Sequence, residues 1–161
     1  MRTLLLLIVL TAPTVAWSYA DESFYKVLAQ DGIAEIDAAN LALERTSNDD
    51  VKEFAAMMVR DHTAANTRLN ALAASKKSRL PNSASVAQRA IQAKLAVLSG
   101  GTFDQFYIRC QIDAHKEMLD LINNEIASGK DAKAQAFARE ILPTVQQHLK
   151  MSRVLAAGEG I

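Results

Sequence analysis

Apolar residues return every three to four positions along four long stretches of the chain, the period of an α-helix with one buried face. In the first stretch the stripe is Phe24, Leu28, Asp31, Glu35, Ala38 and Ala42, so two carboxylates stand where a core is expected. In the second it is Val51, Phe54, Ala55, Met58, His62, Ala65, Leu69 and Leu72. The third has two apolar faces: Ile108, Ile112, His115, Leu119, Ile122 and Ile126 on one, and Phe103, Phe106, Cys110, Glu117 and Leu121 on the other. A helix apolar on two sides packs against more than one neighbour. The fourth stretch begins at Asp131, reaches about Ala157 and carries His148. Pro143 lies inside it, removes a backbone donor and predicts a kink.

Turn and cap residues between these stretches place the helix ends. Ser47-Asn48-Asp49 stops the first helix and caps the second, which covers about Val51 to Ser75. Lys76 to Pro81, with three basic residues and a proline, reads as a solvated turn. Ser83 or Ser85 caps a shorter helix with Val86, Ala90, Leu95 and Leu98 inward, and Gly100-Gly101 ends it. Thr102 caps the third long helix, Gly129 closes it, and Asp131 caps the fourth. Two hairpins with short links and one long middle connection predict an all-α fold: a ferritin-like four-helix bundle with an extra short helix in the crossover.

The first residues break the pattern. Arg2 gives a basic start, Leu4 to Leu10 is wholly apolar, Pro13 interrupts, and Ser18-Tyr19-Ala20 supplies small residues at the end. This is the layout of a signal peptide over residues 1–20, with the bundle domain over 21–161. An uncleaved N-terminal anchor is the alternative. The apolar run is far shorter than the roughly 20 residues a membrane helix needs. The mature chain is therefore expected to lack a transmembrane helix, to reside in the periplasm or at the outer membrane, and to touch the envelope only peripherally. Arg2 is the one charged residue lost, which leaves 17 basic against 18 acidic groups. Such a balance excludes a nucleic-acid footprint. The short Lys76-Lys77-Ser78-Arg79 run suits a solvated turn better than a lipid contact. A single cysteine, Cys110, allows no internal disulfide and reads as a small buried hydrophobe. The apolar stripes can satisfy one another within one chain, so a monomer or weak dimer is expected.

The chemistry lies in the histidines. The chain has three, His62, His115 and His148, each mid-helix on an apolar face, and Glu35 holds the matching position on the first helix. Burying polar rings there needs either a metal ion or a layer of hydrogen bonds. Glu35 and His62 lie about equally far from the turn at Asn48 and should face each other. His148 is some four residues further from its turn than His115, an offset of about 6 Å that a helix stagger or the Pro143 kink could correct, or that leaves His148 outside the site. Glu35, His62, His115 and His148 form a candidate ligand set for one divalent transition metal: Zn²⁺, Fe²⁺, Mn²⁺ or Cu²⁺. Asp31, one turn from Glu35, is a fifth ligand or an acceptor that orients a histidine. Asp61 sits a quarter-turn off the face of His62 and reads as an exposed residue or as a group that orients a ligand. The Glu-x-x-His pairs of di-iron bundles are absent, because Val59, Ile112 and Val145 precede the histidines by three, which argues against a ferroxidase. Two functions stay open: metal handling or an oxidative-stress role, and a non-catalytic envelope module whose histidines form a polar layer.

Several motifs occur together. They are Val51-Lys52-x-Phe54-Ala55-x-x-Met58-Val59-x-Asp61-His62, then Phe103-Asp104-x-x-Tyr107, His115, and Leu142-Pro143 with His148-Leu149. In this combination the chain resembles the bacterial domain-of-unknown-function 4142 family over nearly all of its mature length. The resemblance implies an exported, ferritin-like protein, often labelled an outer-membrane protein. That family has no settled activity, so the resemblance bears on fold and export more than on chemistry. The terminal pattern predicts cleavage after Ala20. Intact-mass measurement on exported protein checks it, and a mass that retains residues 1–20 refutes it.

Overall fold

A computed structural model describes residues 19–76 and 78–161. Five α-helices follow in order: α1 (Tyr19–Arg45), α2 (Asp49–Ser75), α3 (Val86–Ala96), α4 (Gly100–Ser128) and α5 (Ala132–Gly158). Among the described residues there is no strand, and no helix is long and apolar enough to cross a membrane. All but the last two residues of the expected signal peptide lie outside the described residues. The short links make α1 and α2 one antiparallel hairpin and α4 and α5 another. The hairpins join through α1 against α4 and α2 against α5, and α3 lies on the outside against α1 and α4.

Local chemistry sets most helix ends. Asn48 Oδ1 accepts from the backbone N–H groups of Asp50 and Val51 at 2.9 and 3.3 Å. Asp131 Oδ1 accepts from Lys133 N–H at 3.0 Å. Of the two serines before α3, Ser85 is the cap. It forms a reciprocal box in which its hydroxyl accepts from Gln88 N–H and Gln88 Oε1 accepts from Ser85 N–H.

Several expectations are corrected. Gly100 and Gly101 open α4 instead of ending α3, and Ser99, not Thr102, occupies the N-cap. Gly100 adopts φ +56°, a conformation costly for a residue with Cβ, which lets the chain enter α4 three residues after α3 is capped by Val97. Val86 and Ala90 face solvent, and Leu95 is the buried residue of α3. The cause is position: α3 touches the bundle along one edge only. On α4 the buried stripe is Asp104, Ile108, Gln111, His115, Met118, Ile122 and Glu125, while Glu117 is exposed and Cys110 only half-buried. Lys76 is not solvated; it pairs with Asp131 and lies 5.7 Å over the ring of Tyr25, tying the end of α2 to the start of α5. α5 runs unbroken through Pro143, which sits on its exposed side.

The apolar core comes in two halves. One joins Ala42, Val51, Phe54, Met58, Leu95, Phe103 and Ile108; the other joins Phe24, Leu28, Leu69, Met118, Ile122 and Phe137. Along every long helix a buried polar residue separates them: Glu35 on α1, His62 on α2, His115 on α4 and His148 on α5. The same four helices run through both halves, so the halves should unfold together. Phe54→Ala is expected to cost about 3–5 kcal/mol and Leu69→Ala about 2–5 kcal/mol. Each should lower the midpoint of one cooperative denaturant transition. Two separate transitions would show that the halves are independent.

Candidate metal centre

The three histidines converge from α2, α4 and α5. Each offers one nitrogen within 4.8 Å of those of the other two, and among the described residues no other set of three or more His, Cys, Asp and Glu groups does so. All are buried, at 6% exposure for His62, 0% for His115 and 1% for His148. Ring centroids are 5.3–5.7 Å apart. The expected offset of His148 is absent: its Nδ1 lies 3.3 Å from His115 Nε2. Of the readings left open for His148, the one that holds is that it joins the cluster.

The outer nitrogens have partners that fix the tautomers. His115 Nδ1 lies 2.8 Å from the Gln111 backbone carbonyl, which can only accept, so this nitrogen carries the proton. His148 Nε2 lies 3.1 Å from Asp61 Oδ2 and donates to it. Arg60 donates to both oxygens of that carboxylate, at 2.8 and 3.3 Å. Partial burial pushes the Asp61 carboxyl up, but the hydrogen bonds from Arg60 and His148 outweigh it and hold the group below its ordinary value. The inner nitrogens, His115 Nε2 and His148 Nδ1, are then bare in the neutral rings and face each other lone pair to lone pair. His62 Nε2 is buried with no hydrogen-bond partner.

Burial keeps these rings neutral. It lowers His62 far below the ordinary histidine range, helped by His115 and His148. It lowers His115 to about 4, helped by His148 and opposed by the Gln111 carbonyl. It also lowers His148, against the pull of Asp61. Neutral imidazoles with inward lone pairs are the form that ligates a metal ion.

The two carboxylates of α1 stand elsewhere. Glu35 is buried but is not among the groups within 4.8 Å of one another; it is hydrogen-bonded by the Gln111 side chain. Asp31 accepts from Gln88 Nε2 on α3 and meets no histidine. The carboxylate that orients a histidine is Asp61, one of the two roles its place beside the His62 face left open; its partner, His148 on α5, was not expected. Gln111, one turn before His115, was not expected at all. Its signal was its position on the buried stripe of α4.

A cavity of about 220 Å³ leads from the surface between α2 and α5 to His62 and His148. Asp61 and the Arg68–Glu140 ion pair line it. Gly32 on α1 also lines it; a Cβ there would lie 2.2 Å from Asn66 Oδ1, so any side chain at this position would require the Asn66 amide to move. The arrangement offers three neutral imidazoles, one ring braced by an ionised carboxylate, and a path to solvent.

The fold matches solved structures of low sequence identity. A fragment of a DUF305 protein from Deinococcus radiodurans superposes with TM-score 0.77 at 17% identity, covering 88% of this chain and 98% of that one. A DUF305 protein of Streptomyces coelicolor, described as secreted, gives TM-score 0.75 at 13% identity, covering 88% and 92%. CopM in its Cu(I)-bound form gives TM-score 0.73 at 17% identity, covering 88% and 98%. No curated protein matches the chain in sequence. The family model described as "Domain of unknown function (DUF4142)" matches residues 10–155, nearly the whole length, and the chain belongs to that family.

Proposed function

We propose that this protein is an exported metal-handling protein that holds one transition-metal ion between His62, His115 and His148. The observation that carries the proposal is the pair of opposed lone pairs on His115 Nε2 and His148 Nδ1 at 3.3 Å. Two such nitrogens need a cation between them. A proton would put an imidazolium in a site where burial disfavours it. A metal ion needs no such charge on the ring. Two nitrogens bound to one ion at about 2.0–2.1 Å in tetrahedral geometry lie about 3.3 Å apart. The unpartnered His62 Nε2 supplies the third bond. Imidazole donors suit copper, zinc and iron, whereas manganese favours carboxylates, and no carboxylate belongs to the cluster. Copper is the first choice, because CopM, which shares the fold, was solved in Cu(I)-, Cu(II)- and silver-bound forms. The two hairpins with α3 in the crossover support the ferritin-like description of the bundle. Export rests on the signal-like N-terminus and on the secreted description of the Streptomyces neighbour.

The competing proposal is a structural layer in which Asp61, His148 and His115 form a hydrogen-bonded chain held by a proton. Thermal melts separate the two. At an ion concentration about a hundred times Kd the parent should gain about 2.7 kcal/mol. His62→Ala or His115→Ala should abolish the gain, Asp61→Asn should weaken affinity about 10–100-fold, and Glu35→Gln should leave it intact. A parent melt unmoved by copper, zinc and iron ends the proposal.

The protein in chelator gives a second test, through pH. A histidine whose folded pKa lies below its unfolded value binds more protons when unfolded, so its stabilising effect is complete above about pH 6.5 and is lost as pH falls. For His115, lowered to about 4, the loss approaches about 3 kcal/mol. Glu35, raised to about 8 by burial, contributes the opposite slope between its two pKa values. Subtracting the profile of His115→Leu from that of the parent isolates the histidine. A difference that grows on acidification from pH 6.5 downward would instead favour the proton-held layer.

A further inference from the structure

On the opposite side of the bundle from the α2–α5 mouth, α1, α3 and α4 enclose a second cavity of about 220 Å³. Four carboxylates line it, Asp31, Glu35, Asp113 and Glu117, and no lysine or arginine does. Glu35 Oε2 and Gln111 Oε1 line it from within, both buried and both without a hydrogen-bond partner. Two orphaned acceptors facing one cavity call for a donor-bearing guest, since a buried acceptor left unpaired is costly. Nearer the surface, Asp113 already has Lys116 at 3.3 Å, while Asp31 and Glu117 repel each other without a cation beside them in the lining. The walls between are apolar, from Ala34, Ala38 and Ile91.

We propose that this cavity binds a short aliphatic diamine, with one ammonium group against Glu35 and Gln111 and the other between Asp31 and Glu117. A metal ion fits less well. It needs three donor atoms at bonds of about 2 Å, and no three of the cavity's carboxylate and thiol groups approach within 4.8 Å of one another. Ammonium hydrogen bonds of about 2.8 Å bridge wider gaps, and a methylene chain spans the two depths at which the acids lie. Burial raises Glu35 to about 8, so near neutral pH its carboxyl holds a proton in place of a cation, and burial raises Asp31 to about 6. Other titratable groups are Cys110 in the lining, raised to about 11, and Tyr107, whose hydroxyl Glu35 helps to push up. Lys94 acts on Cys110 from α3 but rests 4.4 Å over the ring of Phe106.

Calorimetric titration with diaminobutane at about pH 8, where amines of pKa about 10 remain charged, tests the proposal. Butylamine and magnesium chloride at matched ionic strength serve as comparisons. Diaminobutane should bind about tenfold tighter than butylamine. Glu35→Gln should lower the affinity for both amines about tenfold, and Glu117→Gln should erase the diamine's advantage. Both substitutions are isosteric, and circular dichroism confirms that the variants fold. His115→Leu should leave amine binding unchanged, so failure here and failure of the histidine centre are separable. The proposal is overturned by no heat at millimolar diamine, by equal binding to Glu35→Gln, or by magnesium chloride matching the diamine.

Discussion

The structure turns on a single constraint: a polar layer across the middle of an otherwise apolar bundle. Each long helix contributes one buried polar group to it, and each passes from one apolar half to the other through it. Apolar packing is non-directional and tolerates small slips of one helix along another. A layer of hydrogen-bonded rings does not. The bond of His148 to Asp61 is satisfied at one placement of α2 against α5, whereas the contact of His115 with the Gln111 carbonyl lies within α4 and only orients the ring. The layer therefore fixes the register of α2 against α5, and the apolar halves supply the free energy that keeps it buried.

The helices were legible in the sequence because long amphipathic stretches repeat the same period many times. Four stretches, their caps at Asn48 and Asp131, and the mid-helix burial of the three histidines followed from counting. The region from Val86 to Thr102 was misjudged because a short peripheral helix has too few turns for the pattern to average. Glycines that look like a stop also serve as a start when one of them adopts a positive φ. The level of His148 stayed open because helix stagger depends on tertiary packing, which no local count contains. Asp31 and Asp61 show the same limit. Both lie about as near to the histidine face in sequence terms, and only the neighbouring helix decides which one meets a ring: Gln88 claims Asp31, and His148 claims Asp61.

Glu35 illustrates how a correct burial expectation separates from its chemical role. It is buried at the level of the histidines, yet it stands apart from their cluster and looks toward α3 with Gln111. α4 divides the two environments. Its backbone at Gln111 braces His115, and the side chain of the same residue reaches Glu35. On one side burial holds imidazoles neutral; on the other it raises the carboxyls of Glu35 and Asp31. Both effects come from the same loss of water, acting on groups of opposite charge type.

The apolar halves also determine how much an ion must do. In small zinc domains the metal assembles its own ligands, so binding and folding are one event. Here the three rings are already packed between two apolar cores, with Asp61 and the Gln111 carbonyl fixing two of the tautomers. An arriving ion would displace no hydrogen bond that the inner nitrogens make to the protein, because His62 Nε2 has none and the nitrogens of His115 and His148 oppose each other. Little binding energy would go into ordering the chain. Affinity would then depend on how closely the three nitrogens can draw together, which the packing of α2 against α5 controls through the cavity at their boundary.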